Sequence, residues 1–246
     1  KCSGLLFRGF EKMLRGRPPL DSIYFTERIC GICSTAHSMA STLALEDALL
    51  IKPEVNGRHI RDFIHGCEFL QNHIRHFYQY TMPDFVKEAK VSPLYDVIHN
   101  DFRLPKKIDK RLSDHYIESL AYSRLAHEML AVLGGKAPHN HGIFVGGITV
   151  NLDSSEFIKV KSILSTIKGF IQNKMIPDAF VIGEYYPEYY SMGAGWGNFL
   201  SYGVFDYPYK DIYYIEPSIY VYGMLGKPDL SLITESIYSS WYQGEA

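Results

Sequence analysis

The feature that most constrains this chain is an apolar stripe near its N-terminal third. Ile60, Phe63, Ile64, Cys67, Leu70, Gln71, Ile74 and Tyr78 recur at helical spacing over about five turns. Such a stripe needs one continuous helix with a buried face, and it predicts helix from roughly Pro53 to Tyr80. The other elements follow from shorter patterns. Leu6, Phe10, Met13 and Leu14 predict a short amphipathic helix that Gly16, Pro18 and Pro19 end, followed by a turn-like approach over 26–31. Ser34 caps a helix expected to bury Ala36, Met39, Ala40, Leu43, Ala44 and Leu50, with Pro53 as its limit. Ser113 to Leu133 reads as a further helix closed by Gly134 and Gly135. Asp153 and Glu156 form a capping box ahead of Phe157, Val160, Leu164, Ile167 and Ile171, and Pro177 is expected to stop that helix. Beyond it, runs at 199–205, 212–215 and 219–225 read as short strands. The fold class is mainly α with a small β portion.

The balance of 25 basic and 27 acidic residues in 246, with a pI near 6.6, lacks the basic footprint of a nucleic-acid binder. A mean hydropathy of −0.10 and no long apolar run argue against a membrane span. The sequence opens without an initiator Met and without the apolar stretch of a signal peptide. Four cysteines are too few for a disulfide scaffold and point to metal or redox use.

Chemistry-bearing residues are unevenly spread. All four cysteines lie in the first 67 residues and all ten histidines between His37 and His141, whereas 13 of the 19 tyrosines fall from Tyr185 onward. No repeat or linker divides the chain. It reads as a single partial domain over 1–246, with a helical metal-site half at 1–135 and a helix plus Tyr-rich β and loop region at 136–246.

Cys30-Gly31-Ile32-Cys33 places two thiols within chelating reach at the start of a helix, where free amides and the dipole favour thiolate. His37 follows one turn later on the same face. Three uses compete: a structural zinc site, which lacks further obvious ligands; a dithiol redox motif, whose usual βαβ context is missing; and a soft-metal site completed from elsewhere. Cys67 lies on the apolar stripe and reads as a core thiol. Cys2 has no usable context. His65, Asn72 and His76 form a polar stripe opposite the apolar one, and His139 with His141 reads as a polar loop.

Arg8-Gly9-Phe10-Glu11 and the run from Arg28 to Ser41 (RICGICSTAHSMAS) are followed in order by 70–78 (LQNHIRHFY), 82–86 (MPDFV), 134–139 (GGKAPH), Gly146-Gly147 and, more weakly, 198–203 (NFLSYG). This ordered series resembles the large subunit of nickel-iron hydrogenases, in particular uptake-type members. The resemblance implies the long-helix core of that large-subunit fold, incomplete in this sequence. It implies that Cys30 and Cys33 supply two of four thiolates to nickel, Cys30 as a terminal ligand and Cys33 bridging to an iron that carries cyanide and carbon monoxide. His37 would donate toward the bridging sulfur, and Glu11 would serve a separate structural magnesium. Asn72, 39 residues after Cys33, falls over the open metal position, where many respiratory members carry an aspartate.

The family's second cysteine pair and its proton-passing glutamate have no counterpart here, so the resemblance is to an internal stretch of a longer subunit. The implied reaction is reversible oxidation of dihydrogen to protons and electrons. Electrons would leave through iron-sulfur clusters held by a small partner subunit, because this chain lacks cysteines for them; the downstream acceptor is unspecified. Family habit places such enzymes in the periplasm or on the outer face of the cytoplasmic membrane, exported with the partner, with a cytoplasmic site as the alternative. Two rival readings are a metal-free relative, such as a complex I quinone-site or scaffold subunit, and a dithiol oxidoreductase.

Overall fold

The computed structural model describes residues 8–87, 99–207 and 212–234. Short helices α1 (Phe10–Leu14) and α2 (Ser22–Thr26) precede α3 (Ser34–Leu49) and α4 (Val55–Ile74), which runs on as a wider π-turn over Arg75–Thr81. The helix predicted from the long apolar stripe is therefore present nearly end to end. Helix α5 (Lys106–Gly134) lies along α4, and α6 (Ser154–Phe170) packs on α5. Ile64, Cys67, Ile74, Leu112, Met129, Leu133, Ile163, Ile167 and Phe170 from these three helices share one apolar core.

Three expectations need correction. Helix α5 starts seven residues before Ser113, at Lys106 after Pro105, because Ile108 and Leu112 extend its inner face beneath a charged first turn. Pro177 does not stop α6. A π-turn at Ile171–Met175 carries the chain into α7 (Ile176–Tyr185), where Pro177 sits at the second position and its missing N–H costs little. Helix α3 is turned around: Ser34, Thr35, Ser38, Thr42 and Glu46 are buried beside Met39, while Ala40, Leu43, Ala44 and Leu50 are exposed. The Asp153–Glu156 capping box is observed as predicted, with both reciprocal bonds made. Of the first predicted helix, Leu6 lies outside the described residues, as does Cys2, and the described part buries no side chain.

The small β portion is three antiparallel pieces. Strands β1 (Ile143–Phe144) and β2 (Gly147–Ile148) form a hairpin over α4. Strand β6 (Ser218–Val221) pairs with both β3 (Phe199–Ser201) and β7 (Met224–Gly226), and β4 (Val204–Tyr207) pairs with β5 (Ile212–Ile215). Two glycines break the longer predicted runs. Gly203, at φ 89°, stands where an added Cβ would come within 2.9 Å of Pro217, and Tyr222-Gly223, both at positive φ, close the tight turn of the β6–β7 hairpin.

What turns α3 inward on its polar side is a buried ion pair. Arg61 of α4 is 2% exposed and holds Glu46 of α3 through two bonds, at 3.0 and 2.5 Å. The same guanidinium bonds the carbonyls of Phe144 and Gly147, and Glu46 accepts from Gly146 N–H at 2.8 Å. One pair thus ties α3, α4 and the β1–β2 hairpin together. Truncating one partner strands the other charge in the interior. Arg61→Ala is expected to cost about 3–5 kcal/mol of stability. Arg124→Ala, which removes the exposed Arg124–Glu128 pair, is expected to cost under about 0.5 kcal/mol. Chemical denaturation of both variants checks the contrast.

Candidate metal centre

A single turn at Glu27–Ile29 delivers Cys30 in extended conformation, and α3 begins directly after Cys33. The Cα atoms of Cys30 and Cys33 are 5.4 Å apart and their sulfurs meet in disulfide contact. Both sulfurs therefore point at one spot, as a disulfide or a shared metal requires. The amides of Ile32 and Cys33 donate to Cys30 Sγ at 3.4 and 3.1 Å. Two N–H dipoles thus converge on that sulfur. Both cysteines are half-buried, and the intervening Gly31 and Ile32 are exposed, so the pair opens to the surface.

Beneath the loop lies a buried polar floor. Glu68 of α4 accepts from Thr35 N–H at 2.7 Å and Ala36 N–H at 3.1 Å. Asn140 donates to Thr35 Oγ1 at 3.3 Å and to Glu27 Oε1 at 3.5 Å, while its own oxygen accepts from Gly142 and Ile143. Asn140 reaches this position because the loop after α5 folds tightly back: a Cβ on Gly142 would come within 2.7 Å of Gly134 Cα. Burial lifts the carboxyl of Glu27, which is 0% exposed, to about 7, with Glu68 adding to the rise and Arg28, Ser38 and Lys136 opposing it. Burial also raises Glu68, against the pull of its helix amides. Burial and the nearby Arg28 and Lys136 lower His139, whose backbone N–H donates to Ser34 Oγ and whose Nδ1 is buried without a partner.

His37 is half-buried on the first turn of α3, its N–H bonded to Cys33 O at 3.3 Å. Asn72 reaches the cysteine loop directly, donating from Nδ2 to Ile32 O at 2.9 Å, and its buried Oδ1 meets no partner among the described residues. The rest of its stripe goes elsewhere. His65 is buried against Phe69 and Phe205, where burial lowers it to about 4, and His76 is exposed. Cys67 is buried in the core, its thiol pushed up to about 12, as a packing residue. Glu11 is exposed on α1. His141 stacks edge-on against Tyr24 in the loop.

Glu27, Glu68 and Asn140 are the members of this site that motif reading missed. Only Glu68 carried a signal, since it stands one turn before Asn72 on α4. As a donor set, the cysteine pair suits a soft metal. Among the described residues no cluster of three or more His, Cys, Asp or Glu could hold a metal ion.

The chain that carries this architecture and this cysteine pair belongs to the nickel-dependent hydrogenase family. The model of that family, described as "Nickel-dependent hydrogenase", matches residues 8–97 and 82–246. Over the whole chain it is 36% identical to the periplasmic [NiFeSe] hydrogenase large subunit of Desulfomicrobium baculatum, covering 50% of that protein. It is 28% identical to the hydrogenase-2 large chain of Escherichia coli K12, covering 54%. The structure of the Ni-Fe-Se hydrogenase from D. vulgaris Hildenborough in the reduced state superposes with a TM-score of 0.92 at 37% identity, over 98% of this chain and 50% of that one. The chain thus spans about half the length of the relatives it matches, and its fold is part of a large-subunit fold.

The buried floor has a consequence for stability. Glu27 holds its proton more tightly when folded (about 7, against 4.5 unperturbed), so the folded state binds more protons between those values and stability falls as pH rises through them. Replacing Glu27 by Gln removes that loss while keeping the shape. Glu27→Gln is expected to match the unchanged protein below about pH 4.5 and to gain on it steadily up to about pH 7, by on the order of 3 kcal/mol. Denaturation at stepped pH measures the difference.

Proposed function

We propose that this chain forms part of the large subunit of a hydrogenase, catalysing the reversible oxidation of dihydrogen to protons and electrons at a nickel-iron centre. The observation that carries the reading is the paired Cys30 and Cys33 sulfurs at the start of α3, with two backbone amides aimed at Cys30, in a chain of the nickel-dependent hydrogenase family. Cys30 and Cys33 would hold nickel, with Cys33 shared with an iron bearing cyanide and carbon monoxide. Bound there, the metals supply Lewis-acid sites for splitting dihydrogen.

The chain's own residues set the conditions for that chemistry. Amide bonds to Cys30 Sγ draw charge from the sulfur and tune it as a ligand. His37, one turn along α3 from Cys33, would donate toward that sulfur. Asn72 holds the Ile32 carbonyl and so the middle of the loop. The remaining two nickel donors, and the partners of Glu11 at a structural magnesium, come in this reading from outside the described residues. Carboxylate oxygen suits that hard cation, as sulfur suits nickel.

In this reading the electrons leave through iron-sulfur clusters held by a small partner subunit. We place the enzyme in the periplasm or on the outer face of the cytoplasmic membrane. This accords with the relative named as periplasmic and with the finding that no described helix is long and apolar enough to cross a membrane.

In the complete enzyme, Cys30→Ser and Cys33→Ser are each expected to abolish nickel retention and hydrogen uptake, whereas Cys67→Ser retains both. Equal nickel content in all three variants, measured by elemental analysis, would sink the assignment. Asn72 yields a separate expectation. An aspartate there cannot donate to Ile32 O and brings negative charge beside the loop. Asn72→Asp is expected to shift the pH profile of hydrogen oxidation with nickel content unchanged, because one hydrogen bond, about 1 kcal/mol, does not hold the metal alone. Paired activity and metal measurements decide it; an unmoved profile makes Asn72 part of an ordinary polar helix face.

A further inference from the structure

Helix α3 begins at the residue after Cys33, so whatever fixes its first turn fixes how Cys33 and His37 leave the backbone. The first amides of a helix have no carbonyl of their own helix to bind. Here His37 N–H reaches Cys33 O, which leaves the amides of Ser34, Thr35 and Ala36. Cys33, and not Ser34 as the sequence suggests, stands at the N-cap position, and it makes no side-chain capping bond among the described residues. Glu68, more than thirty residues further along the chain, meets two of the three amides. One carboxylate oxygen accepts from Thr35 N–H at 2.7 Å, with Ser34 Oγ at 3.4 Å, and the other accepts from Ala36 N–H at 3.1 Å.

This side chain is 6% exposed. A carboxylate is costly to bury unless its lone pairs are met, and here they are met by consecutive amides of one helical turn. Charge-assisted bonds of this kind are the stronger class and are directional. Glu68 also stands one turn before Asn72, which holds Ile32 O on the other side of Cys33. Helix α4 therefore grips the chain on both sides of that cysteine.

We propose that Glu68 is a positioning residue for the cysteine loop: it acts as the N-cap that α3 lacks in its own sequence, and so sets where the Cys33 sulfur and the His37 ring stand. What the loop holds rests on the nickel reading above; the capping itself does not.

The test uses the full chain in its native complex and three variants. Glu68→Ala removes both acceptors, Glu68→Gln keeps one oxygen, and Glu46→Gln weakens the opposite end of α3 as a control for general destabilisation. Hydrogen exchange is followed in peptides covering 30–37, together with nickel content. Glu68→Ala is expected to speed exchange at residues 34–36 about tenfold relative to Glu46→Gln, the change that loss of one net hydrogen bond brings, and to lower nickel retention. Glu68→Gln is expected to fall between Glu68→Ala and the unchanged protein, and it carries the comparison alone if Glu68→Ala does not fold. Exchange at 34–36 no faster than in Glu46→Gln overturns the proposal, and so does faster exchange with full nickel retention. An unchanged protein that holds no nickel overturns the nickel reading, while faster local exchange in the Glu68 variants still supports the cap.

Discussion

The structure depends on charge buried between α3 and α4. At one end of α3, Glu46 is locked to Arg61; at the other, Glu68 receives the first-turn amides. Neither arrangement tolerates sliding, because a shift of one residue would leave a buried carboxylate or guanidinium without partners, at several kcal/mol. Apolar contacts alone would permit such slippage, since they are not directional. The register of α3 on α4 is thereby set by polar geometry, and the cysteine loop, joined directly to α3, inherits that register.

This constraint explains the division of labour around α4. Its apolar edge, with Ile64, Cys67 and Ile74, faces α5 and the common core. Another edge offers Arg61, Glu68 and Asn72 to α3 and the loop. The loop after α5 closes the floor from below by bringing Asn140 between Thr35 and Glu27. The cysteine loop built in this way is held by the scaffold and not by its own short turns.

The outward side of α3 and the tyrosine-rich strands have the opposite character. Leu43 and Leu49 of α3, Leu50 just after it, and Trp196, Phe199, Leu200, Tyr222 and Met224 of the strand region, are exposed. The chain spans about half of the relatives it matches, so apolar residues that a self-contained domain would bury need not be covered by this half. That accounts for the reversed reading of α3. Its sequence carries an apolar edge and a polar edge, Ser34, Ser38, Thr42 and Glu46 at four-residue spacing, and burial of the apolar edge is the default inference for a helix read alone.

Local chemistry was enough to determine several parts of this protein from sequence. The five-turn stripe required α4, Asp153 with Glu156 required the start of α6, and Cys30-Gly31-Ile32-Cys33 with its flanking series identified the family. Each depends on residues within a few turns of one another, where spacing alone dictates geometry. Pro177 misled because the rule for a proline inside a helix does not foresee a π-turn placed just before it. Only tertiary structure decided which edge of α3 faces inward, that Asn72 meets the loop while His65 does not, and that Glu27, Glu68 and Asn140 form its floor. These contacts join residues 30 to more than 100 positions apart, and a buried polar group declares its partner only when the fold brings the two together and excludes water.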